Sequence, residues 1–212
     1  MNNDNNPLFD SKPIAHIQAL QDSLLEIGSV RKAKRGQQFP LVLNGERMCF
    51  SLIQGKCDIK RQRDSLLIDS SDAPIILGIS LLWGYSSHFI IQAKNTIEYM
   101  YFSQNAFLLH VEKYNLWKQA SYSSMYVTTK LAEYIPLNIA ISSYESICNQ
   151  LRALNDENFE TRATTSALKY IQERTSLSRS GIMKTLSELN AGGYITIKRG
   201  ILIKINKLPE KY

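Results

Sequence analysis

The sequence predicts an α+β fold in which short β-strands come first, one long helix follows, and a small helical module with a terminal hairpin ends the chain. Three observations support this prediction. Short apolar runs separated by turn residues fill 29–103, a stretch of helical periodicity covers 116–135, and two helix patterns followed by a hairpin pattern occupy 165–206. We therefore expect three parts, with boundaries at 13–113, 114–141 and 142–212.

Composition and charge indicate a folded protein with one basic part. Of 212 residues, 44% are hydrophobic and 21% are charged, as in ordinary globular domains. Residues 1–159 carry 15 basic and 15 acidic side chains, whereas residues 160–212 carry 10 and 4. The net charge of +6 therefore belongs to the last quarter of the chain, which suggests either a polyanionic partner or a solvated basic face.

Membrane and secretory signals are missing from the sequence pattern. No apolar run approaches the roughly 20 residues that a membrane-spanning helix needs. The first ten residues are polar and acidic, without the basic and apolar regions of a signal peptide. We expect a cytoplasmic protein with no membrane partner.

The first part begins with a helix over 13–27, where apolar residues recur at helical spacing. The many short strands that follow predict a β-sandwich or β-roll, with turns at Asn44-Gly45 and Gln54-Gly55. The basic run at 31–35 ends at Gly36, which is typical of an exposed strand edge before a turn.

The long helix is predicted over 116–135, and Pro136 is expected to interrupt it. A stripe with spacings of three or four residues runs along it, at positions 116, 120, 124, 127, 131 and 134. This spacing is close to a heptad repeat. The stripe can pack on the strands, on a second copy of the chain, or on both, and we expect a homodimer.

The last part has the start and stop signals of a helix-turn-helix. Ser142-Ser143 can cap a helix, and Thr164 or Thr165 can cap another that ends near Arg174. Residues 175–177 form a short turn, and Ser178 caps a second helix that ends before Gly192-Gly193. Two alternating segments joined by Lys198-Arg199-Gly200 then predict a hairpin. A helix-turn-helix with such a hairpin is a winged helix-turn-helix, which places one helix in the major groove of DNA.

The residues on the second helix suit DNA recognition, so we expect double-stranded DNA as partner. Arg179 is the best candidate for a base contact, because arginine pairs bidentately with guanine, and Ser180 and Lys184 are further candidates. Thr175, Ser176 and Ser178 are expected to position phosphates, with Lys198 and Arg199 flanking the duplex from the hairpin. The alternative is an interaction module whose winged part no longer reads DNA.

No catalytic, metal or cofactor site is expected. The histidines at 16, 88 and 110 are scattered over different elements, and no triad, phosphate loop or metal spacing occurs. The cysteines at 49, 57 and 148 match no metal motif and are odd in number. They are core residues or, alternatively, redox sensors, which would need an exposed thiol with a low pKa.

With these motifs in place, the sequence resembles the Crp/Fnr-type bacterial transcription regulators. The likeness lies at residues 50–61, 75–79, 177–180 and 193–195. Within that family it is greatest to an enterobacterial branch linked to hydrogen peroxide resistance, at 170–175 and 205–212. The resemblance implies a jelly roll like that of cyclic-nucleotide-binding domains, a dimer, and RNA polymerase as a further partner.

The sequence departs from this family where the family binds cyclic nucleotides. The family has Gly-Glu and then Arg-Ser or Arg-Thr, but here Gly78 precedes Ile79-Ser80 and the later segment reads Ser86-Ser87-His88-Phe89. Without an arginine to hold the phosphate, binding of cyclic nucleotide is not expected. The cysteine cluster of the oxygen-sensing members is missing too. Ser180 stands where many relatives have glutamate, so a different target sequence is expected. The sequence leaves the effector and the sign of regulation open.

Overall fold

A computed structural model of the chain describes residues 12–79, 88–138 and 141–209. Within these ranges the chain forms two compact units. The first unit contains the described residues up to Asp64 and from Ile68 to Ala132, and the second contains Ser65–Leu67 and the described residues from Glu133 onward. The domain boundaries given above stay predictions, because one long helix supplies residues to both units.

The first unit is a β-roll of two antiparallel sheets with three helices. Its elements are α1 (Ile14–Leu24), β1 (Arg31–Ala33), β2 (Gln38–Pro40), β3 (Val42–Leu43), β4 (Glu46–Gln54), β5 (Lys56–Arg61), β6 (Leu67–Asp72), β7 (Ile75–Leu77), β8 (Phe89–Ala93), β9 (Ile97–Ser103), α2 (Gln104–Lys113) and α3 (Trp117–Asn138). One sheet has the order β1-β9-β4-β3, with β7 also paired to β4, and the other has the order β2-β8-β5-β6. The predicted α+β class and roll are confirmed.

Aromatic and branched side chains form the core between the two sheets. Phe39 of β2 lies 4.5 Å from Tyr99 of β9 and 4.9 Å from Phe50 of β4, measured between ring centroids. Because β2 and β9 belong to different sheets, these rings join the sheets directly. Such aromatic pairs contribute about 0.5–1.5 kcal/mol beyond the area they bury.

A second core lies beneath α1 and α2. Ile17, Leu20 and Leu24 of α1 are fully buried with Phe107 of α2, as the predicted helical spacing requires. The predicted helix was longer, since α1 ends at Leu24 and residues 25–27 form turns. Gln21 anchors the helix to β4, because its side-chain amide donates to the Ser51 hydroxyl at 3.0 Å.

The predicted turns and the basic strand edge are present. Asn44 and Gly45, both with positive φ, connect β3 to β4 as a hairpin. The turn at Gln54-Gly55 connects β4 to β5, which lie in different sheets, so it turns the chain from one sheet to the other. The basic run contains strand β1 at the edge of its sheet, where Arg31 and Lys32 are exposed and Ala33 is buried.

The long helix α3 turns the predicted stripe inward. Ala120 is buried, and Val127 packs on the core between the sheets. The outward face carries a different stripe, whose exposed members are Ser121, Met125, Thr128, Ala132 and Ile135. Within one copy of the chain, Ala120 and Val127 of the predicted stripe therefore contact the β-roll, and the alternative of packing on a second copy stays a prediction. The prediction that Pro136 interrupts the helix was wrong, since the helical backbone continues to Asn138 despite the hydrogen bond that proline cannot donate.

The second unit is a small three-helix core with a hairpin. Its remaining elements are α4 (Ser143–Asp156), α5 (Phe159–Thr164), α6 (Ala167–Arg174), α7 (Arg179–Ala191), β10 (Ile195–Lys198) and β11 (Ile201–Ile205). Ile147, Leu151 and Leu154 of α4 pack with Ile171 of α6 and Ile182 of α7. The winged helix-turn-helix is therefore formed as predicted.

One predicted helix cap in this unit is confirmed, and another was wrong. Ser142 begins α4 in a complete capping box, in which its hydroxyl accepts from the Glu145 amide and the Glu145 carboxylate accepts from the Ser142 amide. The predicted cap of α6 at Thr164 or Thr165 was wrong. Ser166 caps α6, and the short helix α5, capped by Asn158, occupies the preceding residues.

Candidate nucleic-acid interface

The start of α7 presents polar groups on its first turn. Ser178 is the N-cap, and its hydroxyl accepts from the Gly181 amide at 3.2 Å and lies 3.3 Å from the Ser180 hydroxyl. Arg179 follows as the first helical residue and is exposed. The amide groups at a helix start have no partner within the helix and attract anions. The first turn thus offers hydroxyls, amides and a guanidinium together.

The two faces of α7 differ as a recognition helix requires. Ile182, Leu186 and Leu189 are buried in the core of the second unit. Lys184 and Ser187 lie on the other side, continuing the line that begins at Ser180. One face therefore holds the helix on its unit while the other is free to contact a partner.

The turn between α6 and α7 positions the second helix. Thr175 is buried, and its hydroxyl donates to the Ile171 carbonyl at 2.9 Å. It therefore caps the end of α6 internally, and its hydroxyl does not share the exposed surface of the other predicted contacts. Ser176 is exposed, and the partly buried Leu177 packs on the core between the helices. The predicted role of Thr175 at a phosphate thus gives way to a structural role.

The hairpin of β10 and β11 ends in a tight basic turn. Arg199 has φ of 50° and Gly200 has φ of 82°, the pattern of the two-residue turns that join twisted strands. Lys198 and Arg199 are both exposed at this turn. The Ala167 amide, at the start of α6, donates to the Gly200 carbonyl at 2.8 Å. The wing is therefore attached to the helical part of its own unit.

Most cations of this unit stand without acidic neighbours. Arg179, Lys184, Lys198 and Arg199 have no carboxylate oxygen within 4 Å among the residues that the structure describes. By contrast, Lys169 of α6 lies 3.9 Å from Glu173, and Arg174 stacks 3.5 Å from the centre of the Tyr170 ring. Arg152, Arg162, Lys204 and Lys207 likewise have no carboxylate oxygen within 4 Å among the described residues, so α7 and the wing hold a part of the uncompensated charge of this unit.

The structure adds two residues that the sequence prediction left out. Met183 is 49% exposed on α7, one turn after Arg179. Its spacing of four residues from Arg179 could have identified it, since such residues share a helix face. Apolar contact with thymine methyl groups is a known form of base readout. Lys204 of β11 is exposed opposite Thr196 in the wing and adds a fifth cation.

The thiols are buried, as expected of core residues. Burial raises the pKa of Cys49 to about 12, and burial followed by the Asp58 carboxylate raises the pKa of Cys57 to about 12. Burial also raises the pKa of Cys148. A reactive thiol needs exposure and a lowered pKa. The core interpretation is therefore favoured over the redox-sensor alternative.

The structure describes only part of the region in which the sequence departs from the cyclic-nucleotide-binding residues of the Crp/Fnr regulators. Ser80, Ser86 and Ser87 lie outside the described residues. Gly78 has φ of 95°, and a Cβ there would lie 2.4 Å from the Met48 carbonyl oxygen. The close approach of β4 therefore requires glycine at this position whether or not a ligand binds.

The described residues provide neither a membrane span nor a metal site. No helix within 12–79, 88–138 and 141–209 is long and apolar enough to cross a membrane. The same ranges contain no group of three His, Cys, Asp or Glu side chains that could hold a metal ion.

Two solved structures of transcription regulators share the fold of this chain. The c-di-GMP-responsive global regulator CLP of Xanthomonas campestris matches with a TM-score of 0.70 at 13% identity, covering 90% of this chain and 100% of that one. A Crp/Fnr-family regulator from Thermus thermophilus matches with a TM-score of 0.55 at 15% identity, covering 82% and 92%. Residues 143–210 also match the family model described as winged helix-turn-helix DNA binding. The protein therefore has the Crp/Fnr regulator fold with a winged helix-turn-helix DNA-binding domain.

Two relatives identify the branch of these regulators to which the chain is similar. The inhibitor of hydrogen peroxide resistance of Escherichia coli K12 is 30% identical over 165 residues, which cover 77% of this chain and 79% of the relative. Its counterpart in Salmonella typhimurium is 27% identical over 213 residues, covering 95% and 98%. The chain belongs to the family of the inhibitor of hydrogen peroxide resistance.

Proposed function

We propose that the protein is a sequence-specific, homodimeric transcription regulator that acts in the response to hydrogen peroxide and does not bind cyclic nucleotide. The observation that carries the DNA part is the set of five uncompensated cations on α7 and the wing, which are Arg179, Lys184, Lys198, Arg199 and Lys204. Arg179 reads a base, and Ser180, Lys184 and Met183 extend the contact along the exposed face of α7. Ser176, Ser178, Lys198 and Arg199 bind phosphates.

The peroxide part rests on the relatives. Their names connect them to resistance against hydrogen peroxide. The buried thiols support a regulator that does not detect peroxide through its own cysteines. The missing arginine near Ser86 supports the loss of cyclic-nucleotide binding. The resemblance to the Crp/Fnr regulators also supports contact with RNA polymerase and a cytoplasmic location.

The dimer part rests on α3. Its inward stripe is used by the β-roll, but the outward stripe of Ser121, Met125, Thr128, Ala132 and Ile135 repeats with spacings of four and three residues. This spacing is typical of a helix that pairs with another helix. Met125 is 61% exposed at its middle. We propose that two copies of α3 pair along this outward stripe.

The DNA proposal is tested with Arg179→Ala. Genomic DNA fragments retained by the wild-type protein first give the preferred sequence, and affinity for it is then compared with affinity for scrambled DNA. Loss of one bidentate base contact should cost about 1–3 kcal/mol of discrimination, or roughly fivefold to 150-fold. Arg152→Ala is the matched control, because it removes an exposed arginine from α4 of the same unit.

Two results would contradict this proposal. Unchanged sequence preference in Arg179→Ala would remove the recognition role of the α7 start. Retention of a protein partner together with no DNA binding at low salt would favour the alternative, an interaction module that no longer reads DNA.

A further inference from the structure

Two methionines are exposed among the residues that the structure describes. Met125 of α3 is 61% exposed and Met183 of α7 is 49% exposed, whereas Met48 and Met100 are buried in the β-roll. The cysteines at 49, 57 and 148 are buried too. Within 12–79, 88–138 and 141–209, an oxidant in solution therefore meets an exposed sulfur-containing side chain at two positions.

Met183 lies on the face of α7 that carries the proposed DNA contacts. Arg179 precedes it by four residues, Ser180 precedes it by three, and Ser187 follows it by four, so these side chains share its helix face. All three are exposed. Glu188 is the one acidic residue of α7 and lies five residues further on, which places it on a different face. Within α7, the thioether is therefore surrounded by a cation and hydroxyl groups.

We propose that Met183 is a modification site at which hydrogen peroxide oxidises the thioether to a sulfoxide and thereby weakens DNA binding. A sulfur lone pair attacks one peroxide oxygen, so that a sulfur–oxygen bond forms as the oxygen–oxygen bond breaks. The leaving hydroxide takes up the proton of the oxygen that is now bound to sulfur, which gives one sulfoxide and one water. The sulfur is oxidised by two electrons and the peroxide is reduced by two.

The neighbours of Met183 favour this reaction. Negative charge develops on the leaving oxygen, and nearby donors and positive charges stabilise it. Arg179 supplies a permanent positive charge, and the serines at 180 and 187 supply hydroxyl donors. The side chains one turn from Met125 on α3, at positions 121, 122, 128 and 129, include no cation. Met183 is therefore expected to react faster than Met125.

Oxidation changes the chemistry of the surface that would meet DNA. Methionine is flexible and apolar, which suits contact with a thymine methyl group. Its sulfoxide is polar, and the added oxygen would be buried against that methyl group without a hydrogen-bond partner, which is unfavourable. We therefore expect weaker binding after oxidation, and reduction of the sulfoxide should reverse the change.

This inference deepens the proposed function and rests on it, because it assigns the response to peroxide to the helix face that is proposed to read DNA. The buried cysteines agree with this assignment, since their thiols are not accessible to an oxidant in the folded protein. Met183 is thus a site at which the oxidant and the DNA would compete for the same surface.

Peptide mapping of the free full-length protein tests the site without reference to DNA. The protein is treated with millimolar hydrogen peroxide, the oxidant is removed with catalase, and sulfoxide at each methionine is followed over time by mass spectrometry. We expect Met183 to be oxidised at least about fivefold faster than the buried Met48 and Met100, since susceptibility follows exposure. Oxidation of Met183 should also exceed that of Met125, and bound DNA should slow it.

A matched pair of leucine variants tests the effect on DNA. Leucine is close to methionine in volume but has no sulfur to oxidise. Each protein is compared with its own affinity before oxidation, because Met183 is itself a proposed base contact. Oxidation should weaken binding by the wild-type and Met125→Leu proteins roughly fivefold or more, as one mismatched base pair does, and methionine sulfoxide reductases should restore it. Met183→Leu should show no such loss.

Three outcomes would overturn the proposal. The first is that Met183 is oxidised no faster than Met48 and Met100, and the second is that full oxidation of Met183 leaves DNA affinity unchanged. The third is an equal loss of affinity on oxidation in the wild-type and Met183→Leu proteins. The unoxidised protein is measured first, so a lack of sequence-specific binding at that stage would contradict the DNA proposal instead, while the sulfoxide map still tests the site.

Discussion

At the scale of single residues, burial and charge assign different roles to chemically similar side chains. Thr175 and Ser178 both carry hydroxyls beside the same turn, yet the Thr175 hydroxyl donates within α6 while Ser178 caps α7 at the surface. Only the second can also meet a phosphate. A sequence pattern shows that a hydroxyl is present, but its partner depends on the direction in which the backbone turns.

The three buried thiols should resist chemical modification in the folded protein. In the native protein at pH 7.4, Cys49 and Cys57, with pKa values of about 12, should be thiolate in less than roughly one molecule in ten thousand. We expect alkylation by iodoacetamide to be slow until the protein unfolds, and dilute hydrogen peroxide to leave all three thiols reduced. Mass spectrometry of intact protein provides the measurement, with urea-unfolded protein as the control for reagent activity.

The raised pKa values of Cys49 and Cys57 should also affect the stability of the protein at alkaline pH. The pKa values of Cys49 and Cys57 are raised in the folded state from an ordinary 9.0 to about 12. The unfolded chain therefore loses these protons first as the pH rises, and stability should fall between pH 9 and 12. Alanine at both positions should reduce this alkaline slope. Rapid labelling of native protein at pH 7.4 would instead contradict the buried assignment.

At the scale of elements, the effect of the wing's charge on DNA affinity can be measured separately from the effect of its turn on stability. Arg199 has φ of 50°, where most side chains are strained and glycine is not. We therefore expect Arg199→Gly to leave the free energy of unfolding unchanged or slightly higher while DNA affinity falls. Loss of one phosphate contact should also reduce the slope of log affinity against log salt by about 0.9.

Gly200→Ala is the matched variant for Arg199→Gly, because it changes the conformation of the same turn without changing its charge. Gly200→Ala keeps both wing cations but places a side chain at φ of 82°. We expect that variant to lose roughly 1 kcal/mol or more of stability while keeping the salt slope of the wild type. Urea unfolding and binding across a salt series give the two quantities. If Arg199→Gly lost stability and kept its salt slope, the turn assignment and the phosphate contact would both be wrong.

Sequence periodicity predicted the elements whose apolar residues all face one way. The core faces of α4 and α7 follow directly from residues such as Ile147, Leu151, Ile182 and Leu186. Helix α5 was missed because it contributes no buried side chain and is only six residues long. The end of α3 was missed because a proline removes one hydrogen bond without necessarily ending a helix.

The residues of the candidate site likewise fall into those that the sequence could predict and those that it could not. Charge and spacing were sufficient to predict that Arg179, Lys184, Lys198 and Arg199 are exposed, since long charged side chains at a helix start or a turn tip are normally exposed. Thr175 required the three-dimensional turn, because its burial depends on where Ile171 lies.

At the scale of the whole molecule, two copies of the chain are expected to act together. Paired copies would present two recognition helices, and dimeric regulators of this kind bind two half-sites about one helical turn apart. The proposed pairing surface is the outward stripe of α3, whose residues are exposed in the single chain.

Met125→Glu tests the dimer. A carboxylate in the middle of a helix-pairing surface must be buried without a partner or must separate the helices. We expect the variant to shift toward the monomer in analytical ultracentrifugation and to lose affinity for a two-half-site DNA more than for a single half-site. Leu109→Glu, on the exposed surface of α2, is the control. A variant that stayed dimeric would exclude this stripe as the pairing surface.

The hydrogen bond between the Ala167 amide and the Gly200 carbonyl limits how the length of the wing can change in this protein. The amide is among those that an α-helix cannot satisfy internally, so the hairpin turn supplies its acceptor. An insertion that lengthened the hairpin would displace this carbonyl and leave the start of α6 without it. We therefore expect insertions to be tolerated less at 198–201 than in the turn at Asn44-Gly45, which makes wing length a constrained property of the protein.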